Sequence, residues 1–192
     1  MGRDFVFVLS GLGVAGQAII ALLLVIGLLA LLGSRGALDT LRRWLWGYEL
    51  WAGFVVAAIA TGGSLFYSEV MGYIPCELCW FQRICMYPLS IALLLIAIWG
   101  DNRAARYLLA LPVVGAGISI YHMLIGYGAI TEPQACLKSA PGGCGTHWIA
   151  FASFGYLEIQ TLAFTAFLLL IAFLLLGSVG IADDAATLPA DA

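Results

Sequence analysis

Charge is what this chain has least of. Only 10% of its 192 residues are charged, eight basic and eleven acidic. The basic residues are scattered and form no basic face, which excludes a nucleic-acid surface. Histidine is scarcer still, at two residues, and the CxxC at 76–79 has no second CxxC to partner it. A cysteine-rich structural zinc module would therefore find half its ligands at most. What the chain has in excess is apolar surface: 63% of residues are hydrophobic and mean hydropathy is +1.03. A soluble domain of this size has too little interior to hide so much of it. The expected class is an all-α integral membrane protein.

Five apolar stretches reach the ~20 residues that cross a bilayer. They run from about Phe5 to Leu32, Leu50 to Val70, Cys79 to Trp99, Ala104 to Tyr127 and Phe154 to Leu176. Arg3 gives the first the look of a secretory leader. That run exceeds an h-region of ~7–15 residues and no Ala-x-Ala follows it, so a retained helix is expected. Its Gly11, Gly13 and Gly16 either admit a close neighbour or are the glycine that membrane helices tolerate.

Arginine placement orients the spans. Arg35, Arg42 and Arg43 follow the first span, and Arg103 and Arg106 separate the third from the fourth. The positive-inside rule puts these links in the cytoplasm. The N-terminus and the loops 71–78 and 128–153 then face outward. The acidic tail with Asp183, Asp184 and Asp191 lies inside and is expected to be disordered. Trp44, Trp46, Trp51, Trp80, Trp99 and Trp148 fall near expected span ends, as an interfacial belt does.

Of five cysteines, Cys76, Cys79, Cys136 and Cys144 face outward, where glutathione does not reduce disulfides. Cys85 lies within a span and reads as a small buried hydrophobe. The outer four divide into one pair per loop. Cys136 and Cys144 flank seven residues that include Pro141-Gly142-Gly143. Those turn residues let the chain fold back and bring the sulfurs together. Lys138 is close by, and the loop is expected to be flexible, wet and open to a protein partner. Cys76-Glu77-Leu78-Cys79 is either a redox dithiol or half a metal site. A helix starting at Cys79 favours a thiolate there through its dipole. Arg83 shares the helix face of Cys79 and can stabilise that thiolate or hold a ligand's carbonyl. A snorkelling anchor is the plainer role for Arg83.

Pro75-Cys76-Glu77-Leu78-Cys79-Trp80-Phe81-Gln82-Arg83, followed by a cysteine pair in the next outer loop, resembles the DsbB family of membrane disulfide-generating proteins, especially its BdbC-like branch. The resemblance covers roughly Leu50 to Leu176. It implies a four-helix transmembrane bundle, here with one additional N-terminal transmembrane helix. The chain then divides into 1–47 (extra helix and cytoplasmic link), 48–178 (redox bundle) and 179–192 (tail). The resemblance implies disulfides Cys76–Cys79 and Cys136–Cys144, a membrane quinone (ubiquinone or menaquinone) and a soluble thioredoxin-fold partner of the DsbA type. The protein would be a quinone-dependent protein-disulfide oxidoreductase of the bacterial inner membrane, its cysteine loops outward, with no metal. On the family pattern the reduced partner attacks Cys136, Cys144 engages Cys76, and Cys79 passes electrons to the quinone. Arg83 matches the arginine the family places at the quinone, and His122 matches a histidine near the same site.

Three features depart from that pattern. The first helix lies outside it and is expected to pack beside the bundle or recruit a partner. Gly126 stands where a glutamine is expected, and the second loop is short, which limits the reach of Cys136. Other readings stay in view. A vitamin K epoxide reductase-like protein shares the cysteine economy, but there the loop pair precedes the CxxC. A non-catalytic scaffold would use both pairs as structural bridges. His122 also suits a neutral histidine bonded across helices, and Glu158 and Gln160 suit helix–helix bonding. His147 and Trp148 read as an interfacial segment.

Overall fold

A computed structural model describes residues 2–34, 36–45, 47–100, 102–146 and 158–187. Every element among them is a helix: α1 (Gly2–Leu31), α2 (Gly36–Leu45), α3 (Glu49–Leu65), α4 (Glu77–Trp99), α5 (Asn102–Leu108), α6 (Ala110–Gly126), α7 (Gln134–Ser139) and α8 (Ile159–Thr187). Among the described residues five segments are long and apolar enough to span: Asp4–Leu31, Glu49–Val70, Glu77–Trp99, Arg103–Gly126 and Ile159–Ser178. The protein is an all-α, multi-pass integral membrane protein.

α3 packs on α4, α4 on α6, α6 on α8 and α8 back on α3. That cycle closes a four-helix bundle. Phe167, Leu89, Leu93, Leu170 and Leu174 fill its centre. α6 and α8 approach closely because Gly115 has no side chain: a Cβ there would overlap the Phe167 ring. Large apolar residues elsewhere point outward, as lipid-facing residues do.

Several boundaries differ from expectation for local reasons. α4 begins at Glu77, with Cys76 as its extended N-cap, so both thiols of the CxxC sit within the helix start. Gly100 ends α4 in the left-handed region at φ 67°, where glycine carries no Cβ penalty. The fourth span divides at Leu109 into α5 and α6. Pro112 has no N–H to return to the Leu108 carbonyl, four residues back. α3 widens into a π-helical turn at Phe66–Val70. The link after α1 contains α2, which has no buried residue and carries Arg42 and Arg43 in its last turn. The tail expected to be disordered from 179 continues α8 to Thr187, in a stretch with three alanines and no proline. The fifth span's expected start at Phe154, and Arg35, Trp46, His147 and Trp148, fall outside the described residues.

α1 is peripheral: its span is 6% buried, against 44% for α8. It packs beside the bundle, along α8. A Cβ at Gly16 would lie 3.1 Å from both Leu169 and Thr165, whereas one at Gly11 would meet nothing. Gly16 is therefore the glycine that admits a close neighbour.

Candidate active site

Both cysteine pairs meet at the end of the bundle that carries α7. Cys76, Leu78, Ile125, Cys136 and Cys144 form one buried cluster. Cys136 and Cys144 are disulfide-bonded, with Cα atoms 5.3 Å apart. The return turn uses Gly142 (φ 85°) and Gly143 (φ 71°), where other residues are strained.

The sulfurs of this loop are covered, contrary to the sequence reading of an open pair, although Lys138 beside them is exposed. Cys136 is 2% exposed and Cys144 1%. Ser139 Oγ donates to the Cys136 carbonyl (2.8 Å) and accepts the Glu77 N–H at the start of α4 (3.1 Å). The Glu132 carboxylate accepts the N–H groups of Cys144 and Gly145. A short loop tied on both sides presses its apolar sulfurs onto Leu78 and Ile125.

Cys76 and Cys79 are free thiols with sulfurs 2.7 Å apart, longer than the ~2.05 Å of a disulfide, so the expected Cys76–Cys79 bond is not formed here. The helix start favours Cys76 rather than Cys79. As N-cap, Cys76 Sγ accepts the Cys79 N–H at 3.4 Å. His122 Nε2 lies 3.7 Å from that sulfur and 3.1 Å from the Cys144 carbonyl oxygen. The Cys76 thiol is held down at about 5 from an ordinary 9.0. Its hydrogen bond with Cys79 is the largest cause; burial opposes, and His122 adds to the lowering.

With this pair reduced, the ultraviolet absorbance of the Cys76 thiolate is expected to titrate with a midpoint near pH 5. The folded value lies below the unfolded one. The linked stability is therefore fully present above pH 9, and is lost as pH falls through about 5. A midpoint near 9 would remove the His122 and Cys79 contacts from the account.

Arg83 does not stand free beneath the thiols. Its Nη2 donates to the Ser64 carbonyl of α3 at 3.0 Å, and its guanidinium lies 5.4 Å from the Trp80 ring centre. Tyr87 Oη donates to Ser64 Oγ at 3.2 Å. Behind them Gln82 Nε2 donates to Ser119 Oγ at 3.0 Å. A cavity of about 310 Å³ opens beside these groups. Cys79, Arg83 and His122 line one part of it, and Leu9, Val56 and Ile59 another. Tyr67 also lines it, and among the described residues Tyr67 Oη and His122 Nδ1 are buried without a hydrogen-bond partner.

A family model for the disulfide bond formation protein DsbB matches residues 42–177. The chain belongs to this family. It is 43% identical over 131 residues to disulfide bond formation protein C of Bacillus subtilis, covering 66% of this chain and 90% of that protein. It is 38% identical over 131 residues to a probable disulfide formation protein of Deinococcus radiodurans, covering 66% and 86%. A probable disulfide formation protein of Oceanobacillus iheyensis is 41% identical over 119 residues, covering 61% and 79%. No solved structure matches. The protein is accordingly a membrane disulfide oxidoreductase that oxidises thiols in disulfide formation.

Within this DsbB-family site, four contributors escape a reading by spacing: Glu132, Ser139, Tyr67 and Gln160. The first two hold the outer loop. The only advance sign of Glu132 is its place four residues before Cys136. Gln160, read from sequence as a helix–helix contact, explains the missing glutamine at Gly126. A Cβ at Gly126 would lie 2.6 Å from Gln160 Nε2, so an amide from α8 occupies that space, hydrogen-bonded to Glu158. Cys76, Cys79 and His122 also bring three potential metal-ligand atoms within 4.8 Å of one another. Structural zinc takes four ligands as a rule.

Proposed function

We propose that the protein reoxidises a soluble thioredoxin-fold partner of the DsbA type and delivers the electrons to a membrane quinone. The observation that carries this reading is the position of His122, between Cys76 Sγ and the Cys144 carbonyl. One side chain touches both redox pairs, so exchange between them needs only a short movement.

The exchange balances as follows. A partner thiolate attacks Cys136 Sγ and breaks the Cys136–Cys144 bond, freeing the Cys144 thiolate. The partner's second thiol displaces Cys136 and leaves as the partner disulfide. With Cys76 and Cys79 bonded, Cys144 attacks Cys76 and releases Cys79. Cys136 then attacks Cys144, re-forms the outer disulfide and releases Cys76. Two electrons and two protons have moved from the partner to Cys76 and Cys79. Exchange is faster when the displaced thiol has a low pKa, which the hydrogen bond with Cys79 and then His122 give Cys76. One bonded outer pair and two inner thiols is the arrangement at the end of this sequence.

The cavity suits a quinone. Ligand sites of roughly 300–1,000 Å³ are ordinary. Arg83, His122 and Tyr67 would hold the polar head, since two of the three have a buried polar atom without a partner among the described residues. A bound quinone supplies the two-electron acceptor that a dithiol lacks. Arg42, Arg43, Arg103 and Arg106 belong to links expected on the cytoplasmic side, which supports an inner-membrane setting with the cysteines outward.

Purified protein given the reduced partner and a soluble quinone is expected to form quinol and partner disulfide in equal amounts; no quinol would sink the reading. Arg83→Ala is expected to raise the quinone KM about tenfold, the scale of a lost charge-assisted hydrogen bond. An unchanged KM would return Arg83 to an anchor tied to Ser64. The trio Cys76, Cys79 and His122 favours a second reading, a cation site. Stoichiometric metal in the purified protein would favour it.

A further inference from the structure

Resting on the quinone reading, we propose that α1 is the wall against which the aliphatic tail of the quinone lies, so that this chain selects tailed over tail-less quinones. α1 precedes the family match, which starts at residue 42. The matched segment covers 90% of the Bacillus subtilis relative. Helices α3, α4 and α6 and most of α8 lie within the family match, and α1 lies outside it.

α1 is seated across two bundle helices. On α8, Gly16 abuts Leu169 and Thr165, and Gln17 Nε2 reaches Thr165 Oγ1 at 3.5 Å. On the α3 side, Leu9 fills the space above Gly63, where a Cβ would lie 3.0 Å from its Cδ2, and the rings of Phe5 and Phe66 are 3.9 Å apart. α3 and α8 both line the cavity, and α1 contributes Leu9, Leu12 and Ile19 to it.

The chemistry of the cavity is uneven. Its redox and hydrogen-bonding groups, among them Cys79, Arg83, His122, Tyr67 and Gln160, come from the bundle helices and the turn after α3. α1 offers only alkyl side chains and glycine there. Such a wall recognises hydrocarbon and has nothing to offer a carbonyl. A quinone ring placed to react with Cys79 leaves its tail to the apolar wall. Leu12 and Ile19 are about half exposed, at 47% and 44%, so trimming them leaves the packing of Leu9 and Gly16 in place.

The test uses the full chain in detergent and measures Kd by quenching of tryptophan fluorescence. Two quinones with the same ring are compared, one without a tail and one with a short isoprenoid tail. For the wild type, the tail is expected to tighten binding about tenfold or more. In the double variant Leu12→Ala/Ile19→Ala this advantage is expected to shrink about fivefold, on the scale of several lost methylene contacts. Kd for the tail-less quinone should change less than about twofold, which also reports an intact fold. Partition into the micelle is common to both proteins and cancels in the ratio. The same tail advantage in variant and wild type would overturn the proposal. So would no tail advantage in the wild type, the outcome if a lipid acyl chain fills the wall. Failure of both quinones to bind the wild type would overturn the quinone reading itself.

Discussion

Cys79→Ser is expected to lower quinone reduction at least about 1,000-fold, the scale of removing a reacting nucleophile. Both inner cysteines line the cavity with Arg83, but Cys79 is the less buried of the two and lies one helical turn from Arg83, while Cys76 is 5% exposed and contacts His122. A serine hydroxyl cannot form the inner disulfide or give up its electron pair. The fold should survive, since serine is close to cysteine in size and the one side-chain hydrogen bond affected is to Cys76. That contact is also the largest cause of the lowered Cys76 titration, so the variant's remaining thiol should titrate at higher pH. Quinol absorbance reads the first effect and thiolate absorbance the second. Turnover above about 1% of wild type would remove Cys79 from its role.

The outer pair yields the second large effect. Cys136→Ser is expected to cut oxidation of the partner about 1,000-fold or more, while chemically reduced Cys76 and Cys79 still pass electrons to quinone. The separation follows from geometry: the outer pair meets the inner pair through His122 and the Cys76 cluster, while Cys79 itself lines the cavity. Stopped-flow quinone reduction and a gel assay for the partner–protein mixed disulfide report the two halves independently. A mixed disulfide that persists in Cys136→Ser would move the point of attack to Cys144 or to Cys76.

The spans were legible because ~20 consecutive apolar residues have few alternatives to lipid. The motif Cys76 to Arg83 likewise announced a dithiol chemistry at a helix start. Other features depend on contacts between residues far apart in the chain. Ser139 meets Glu77 across 62 positions, and Cys76 meets His122 across 46. No local pattern encodes these pairings, so the outer cysteines read as solvated when their sulfurs are covered. The capping role of Cys76 shows a different limit. Moving a helix start by two residues transfers the favourable terminus from Cys79 to Cys76, and boundaries are the least certain part of any helix reading. Gly126 looked like a loss until α8 placed Gln160 beside it.

The covered outer disulfide has a consequence for the circuit as a whole. A buried bond is an insulated one: small thiols in the surrounding medium find no sulfur to attack and cannot drain the oxidising power stored there. On the proposed function, a partner able to shift α7 and draw the Ser139 tie away from Glu77 would be needed to open that circuit. That same tie ends at the first turn of α4, so docking outside would be felt at Cys76 before any electron moves.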